Sequence, residues 1–261
     1  MILPNMTPEE KVRQMEKMFP IVRAMGGHWV RNNFRKKIAS IKYFPTCYTK
    51  EVDLSSHGMG KWTFVYMAES KSNIRKGIVA VMAYQKFHVS HSKNPLNNGT
   101  GIYLFVLDGL NEVECAEYPP HYFNRIRERM IGPKGIVQPS FDDLVKRVLC
   151  DHYNSINEVM IGGRIKILDD GKYGWIADSS FDRQDGYKNM VEYHGDGISL
   201  GIMTIGYKLF LTYVPNGMLR QEQIDRKDKA LEEQRKLSLD RRYNPDATFI
   251  KHMFSLIKFD Y

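Results

Sequence analysis

The stretch "IYLFVLDGLNEVECAEYPPHYFNRIRERMI", Ile102–Ile131, changes its periodicity at Tyr118–Pro120. Up to that point apolar, aromatic and β-branched residues flank Asp108-Gly109, a dipeptide suited to the tight turn between paired strands. Beyond it, Phe123, Ile126 and Met130, with Tyr122 adjacent, recur at helical spacing. Pro119-Pro120 opens that helix and Gly132-Pro133 closes it. The chain therefore passes from antiparallel strands to helix within a few residues.

Toward the N-terminus, "TPEEKVRQMEKMFPIV" carries a helix start. Thr7 caps, Pro8 suits the first helical position and Glu10 completes a capping box. Pro20 is expected to kink or end this helix, and Gly26-Gly27 to stop it. "KWTFVYMAES" and "GIVAVMAYQKFHVS" read as strands. Toward the C-terminus, "SFDDLVKRVLCDHY" is a second helix capped by Ser140, with Asp142 and Asp143 in its first turn. "GRIKILD", "YGWIADS", "NMVEYH", "ISLGIMTI" and "YKLFLTYV" follow as strands, with Asp170-Gly171 and Asp196-Gly197 at turns. Met218–Tyr243 is charged and helix-prone, and a short helix is expected over Ala247–Lys258. Segregated runs of strands and helices define an α+β class, antiparallel sheets with helices packed on one side. The organisation expected is an N-terminal α+β unit over 1–118, two helices and an antiparallel sheet over 119–216, and a charged helical segment over 217–261.

Of the 261 residues, 43% are hydrophobic and 26% charged, enough apolar material for a core. No apolar run reaches the ~18 residues of a membrane span, and the N-terminal stretch is charged where a secretory signal would be apolar. These features place the protein in the cytoplasm without a membrane partner. Cys47, Cys115 and Cys150 are too few and too scattered for a disulfide framework or a structural zinc. His88 and His91, three apart on a strand, point to opposite faces, so no metal site is expected. No glycine-rich nucleotide-binding motif appears, and no cofactor is expected.

The net charge is +8 and the pI about 9.2. No acidic residue occurs in 28–50 or 71–100, and the first of these stretches holds Lys36 and Lys37. Clustered positive charge favours a polyanion, nucleic acid above all, although a solvated basic surface has the same composition.

The helix after Pro119 holds the chemistry. Residues four apart share a face, so His121, Arg125, Glu128 and Arg129 line up, with Arg127 beside them as a further phosphate-binding residue. Imidazole moves protons near neutral pH. Guanidinium groups bind phosphate and stabilise developing negative charge. In RNA the 2′-hydroxyl beside the scissile phosphate serves as nucleophile, and no metal is required. The same pattern also fits an ordinary solvated amphipathic helix.

The row His121, Arg125, Arg129 on a helix followed by a second helix and a strand meander resembles small bacterial RNase toxins of the barnase, EndoU, colicin and RelE group, BrnT-like members in particular. The resemblance covers residues 119–216. It implies metal-independent cleavage of RNA, with His121 exchanging a proton, Arg125 and Arg129 holding phosphate, and Thr212 or Tyr213 on a late strand orienting it. Separately, the alternating charge of the C-terminal helix makes it the candidate surface for a protein partner or antitoxin. His152 and His194 are the only nearby candidates for a second acid–base group; taken alone, each suits a structural role better. Two other readings stand beside the enzyme: a non-catalytic protein binding RNA in preference to DNA, and a structural or assembly protein of a mobile element.

Overall fold

The computed structural model describes residues 2–29, 40–44, 46–68, 70–72, 80–107, 114–131, 139–178, 180, 182–204 and 206–239. Lys36, Lys37, the Asp108-Gly109 and Gly132-Pro133 turns and the helix expected over 247–258 lie outside the described residues. Two compact units divide between Glu117 and Tyr118.

In the first unit, α1 (Pro8–Trp29) begins at the expected capping box. The Thr7 amide donates to Glu10 Oε2 at 2.8 Å and the Glu10 amide to Thr7 Oγ1 at 3.3 Å. Neither Pro20 nor Gly26-Gly27 ends the helix. Met15, Met18, Phe19 and Val22 are buried along one face, and that burial outweighs the local cost of the proline. Gly26 permits close approach: a Cβ there would lie 3.1 Å from Leu107 and 3.3 Å from the Phe64 ring.

The helix packs on a sheet of order β1-β2-β3-β4-β5, formed by Thr46–Asp53, Lys61–Ala68, Ala80–Val89, Gly99–Val106 and Glu114–Tyr118. Pairing from β1 to β4 is antiparallel, with Thr63 opposite Tyr84 and Met82 opposite Val106. Trp62 stacks on Phe105 at 5.2 Å, and Phe19 meets the same ring edge-on at 5.6 Å. Lys11 Nζ lies 2.9 Å from both carboxylate oxygens of Glu117 in a nearly buried pair. β1 carries no clear alternation in "TCYTKEVD" and escapes a pattern-based reading.

In the second unit, α2 (Pro120–Ile126) runs into a π-helical turn, Arg127–Ile131, and α3 spans Phe141–Asn154. The strands β6 (Ile156–Met160), β9 (Lys188–Tyr193), β10 (Gly197–Thr204) and β11 (Tyr207–Pro215) form a sheet of order β11-β10-β9-β6, with antiparallel pairing between β11 and β10, β10 and β9, and β9 and β6. β7 (Gly163–Ile167) and β8 (Tyr173–Ala177) make a separate hairpin. The last helix, α4, is Gln221–Leu239. The class is α+β with antiparallel sheets, and α2 and α3 share one face of this sheet. On the other, Val191, Tyr193, Ile198 and Val214 form a core with Tyr173 and Leu219, against which Ile165, Ile224, Ala230 and Leu231 pack. The charged helix α4 thus buries one face and leaves the other to solvent. Among the described residues no helix is long and apolar enough to cross a membrane.

Ser140 caps α3 as expected, accepting from the Asp143 amide at 3.2 Å. Ser140→Ala is expected to lower the unfolding free energy by about 1 kcal/mol in urea titration, while Asp142→Ala, one residue into the helix, changes it less.

Candidate active site

Packing from below fixes α2. Tyr122, Phe123 and Ile126 are buried. Tyr118 stacks flat on Phe210 at 4.4 Å, Tyr122 meets Phe210 edge-on at 6.0 Å, and Phe123 lies 4.9 Å from Phe141. This aromatic layer leaves His121 and Arg125 half-buried on the opposite side of the helix.

Arg125 Nη1 donates to Glu128 Oε2 at 2.6 Å, while Arg125 Nε and His121 Nδ1 are buried and without a partner among the described residues. Burial, then the charges of Arg125 and Arg129, hold the His121 imidazole below its ordinary pKa; Glu128 opposes them weakly. The imidazole is therefore neutral at pH 7, the form a general base needs.

The sequence pattern expects one continuous α-helix over residues 120–131. The π-helical turn instead offsets the residues after Ile126 from the α-helical row, a distortion frequent at functional sites. Arg129 reaches β11 from this turn. Its Nη1 donates to Thr212 Oγ1 at 3.3 Å and to the Tyr213 carbonyl at 2.5 Å, and its Nη2 to the Tyr173 hydroxyl at 3.0 Å. The guanidinium also lies 5.5 Å from the Tyr173 ring centroid, within reach of a cation–π contact.

The charges of Arg125 and Arg129 act on His121, and Arg129 in turn reaches Thr212; no contact joins Thr212 to His121 or Arg125 among the described residues. Tyr213 does not join Arg129 through its hydroxyl: it pairs with Ser199 where Thr212 pairs with Leu200, so their side chains take opposite faces of β11. The buried Tyr213 hydroxyl donates to Asp196 Oδ1 at 2.6 Å, and only its backbone carbonyl reaches Arg129. Arg127 is half-buried on the π turn. Tyr173, a fixed partner of Arg129, was not singled out in the sequence because it lies in a different strand 44 residues away.

Beneath α2 and α3 lies a buried polar network. Glu192 is fully buried on β9. His152 Nδ1 is 3.1 Å from Glu192 Oε2 and 2.8 Å from the Tyr118 hydroxyl; His194 Nε2 is 3.6 Å from Glu192 Oε1 and 2.6 Å from Ser199 Oγ, which in turn meets the Tyr122 hydroxyl at 2.6 Å. Burial raises the Glu192 pKa, but His152, His194 and Lys208 outweigh it and hold the carboxyl below its ordinary value. With the histidine and glutamate side chains at most 2% exposed, substrate cannot reach this network; His152 and His194 support the site from beneath. Alternation in "NMVEYH" already sets Glu192 on the face opposite Val191 and Tyr193.

Among the described residues no group of histidine, cysteine or acidic side chains is arranged to hold a metal ion. No protein-family model, curated protein or solved structure matches the chain.

Proposed function

We propose that the chain is a metal-independent ribonuclease acting on RNA phosphodiester bonds, with His121 as its proton-transfer group. One observation carries the reading: His121 Nδ1 and Arg125 Nε, one helical turn apart, are polar atoms without partners among the described residues, in side chains that are otherwise half-buried. Unsatisfied polar groups are costly and concentrate where a ligand completes them.

In the reaction His121 takes the proton of the 2′-hydroxyl, the 2′ oxygen bonds to phosphorus, and the bond from phosphorus to O5′ breaks. O5′ leaves with a proton from water, giving a 2′,3′-cyclic phosphate and a 5′-hydroxyl. Arg125 and Arg129 hold the non-bridging oxygens, and Thr212 orients Arg129. The phosphate must displace Glu128 to engage Arg125.

A second reading, RNA binding without cleavage, is favoured by the pairing that both guanidinium groups already have. Incubation with total RNA in EDTA separates the two. Cleavage by the native chain and not by His121→Ala supports the enzyme. Intact RNA in both, with steeply salt-dependent binding, supports the binding protein. Equal cleavage by both places the activity elsewhere than His121.

The pH dependence has a definite sign. Activity that needs neutral His121 is lost as pH falls through a pKa below the ordinary ~6.5, so the acid limb lies to the acid side of free imidazole. Arg125→Gln removes one of the charges that lower this pKa, and the limb of kcat/KM against pH is expected to move upward.

A further inference from the structure

On the far side of the second unit's sheet, β6, β9, the β7–β8 hairpin and the first turns of α4 enclose a cleft of about 300 Å³. That is the lower end of the range for small-ligand sites and suits a single ring system. Met160, Ile165, Val191 and Ile198 make its apolar surface, and Trp175 and Tyr193 bring aromatic rings to it. Trp175 pairs with Ile165 across the hairpin and remains 39% exposed, unusual for an indole with apolar neighbours. Its ring lies so close over Gly163 that a Cβ there would come within 2.7 Å of it. Glycine there lets both the indole and the Ile176 carbonyl approach the backbone.

At one side of the cleft the Gln223 side chain accepts from the Arg220 amide through Oε1, while its Nε2 is buried with no partner among the described residues. A ligand that fills the cleft and satisfies this donor is flat, largely apolar on its faces, and carries an acceptor on its edge. Arg226, paired with Glu158, stands at the cleft as a cation.

The cleft adjoins the candidate active site through one residue. Tyr173 belongs to the same apolar cluster as Met160, Val191, Tyr193 and Ile198, and its hydroxyl receives Arg129 Nη2. We propose that this cleft binds one unstacked base of an RNA strand, stacked against Trp175 and read at its edge by the amide of Gln223, while a neighbouring phosphate engages Arg129. The proposal rests on the RNA reading of the arginine row and adds to it a base subsite.

The test is equilibrium binding of fluorescein-labelled hexaribonucleotides, 2′-O-methylated to prevent cleavage, to the full chain. A₆, U₆ and C₆ are compared with an abasic hexamer of equal charge. Stacking of a single base predicts that at least one base-bearing hexamer binds about tenfold more tightly than the abasic one. Trp175→Ala and Gln223→Leu are each expected to remove most of that difference and leave abasic binding unchanged, and Trp175→Phe to retain it. Equal affinity of the native chain for base-bearing and abasic hexamers overturns the proposal without recourse to any variant. So does a preference for bases that survives both Trp175→Ala and Gln223→Leu, and so does failure to bind any hexamer. A Trp175-dependent preference for bases in a chain that leaves RNA intact in EDTA keeps the subsite and removes the ribonuclease; cleavage with no preference does the reverse.

Discussion

His121→Ala is expected to reduce RNA cleavage in EDTA by about 10²–10⁴-fold, the usual contribution of a positioned acid–base group. The basis is geometric. Burial and then the Arg125 and Arg129 charges hold the His121 imidazole below its ordinary pKa, and its Nδ1 has no hydrogen-bond partner among the described residues. Removing the ring therefore costs chemistry and little stability. The far-ultraviolet circular dichroism and the urea midpoint should stay close to those of the native chain. A variant that loses activity and fold together would instead identify His121 as a structural residue.

Glu192→Ala is expected to have the largest effect on stability, about 3–5 kcal/mol, because it strips a buried carboxylate from partners that remain buried. His152 and His194 both face it, and the Asn157 amide lies between Glu192 Oε2 at 2.9 Å and Lys208 Nζ at 3.0 Å. A loss of that size is a large share of the 5–15 kcal/mol typical of a domain. Glu192→Gln keeps the shape and loses the charge, so it should cost less and change the pH dependence. The native carboxyl has a lowered pKa. Its contribution is therefore present above the unfolded value, about 4.3, and is lost as pH falls through the lower folded value. Urea midpoints measured across that acid range should fall for the native chain and change less for Glu192→Gln.

Much of the architecture is legible in the residues themselves. Cap chemistry at Thr7 and Ser140 marks both helix starts, and the β-branched and aromatic runs mark most strands, because these signals act locally. The first helix outlasts Pro20 and Gly26-Gly27 for a non-local reason: the sheet it packs on supplies Phe64 and Leu107. Short β6 and the weakly patterned β1 carry too few alternating residues to stand out. At the candidate site, i,i+4 spacing sets His121 and Arg125 one turn apart on α2, where the Arg125 charge acts on the imidazole. The destination of Arg129 depends on a π turn and on Tyr173, neither visible in a helical projection. The choice between Thr212 and Tyr213 depends on strand register, which a bulge at Leu200/Gly201 alters. The buried network is non-local as well: Glu192 meets His152 only once α3 lies against β9.

The chemistry of the cut ends tests the ribonuclease reading most directly. After digestion of a defined RNA in EDTA, mass spectrometry of the fragments should find 2′,3′-cyclic phosphates and 5′-hydroxyls, produced by the native chain and not by His121→Ala. Fragments bearing 3′-hydroxyls and 5′-phosphates, or RNA left whole, would contradict it.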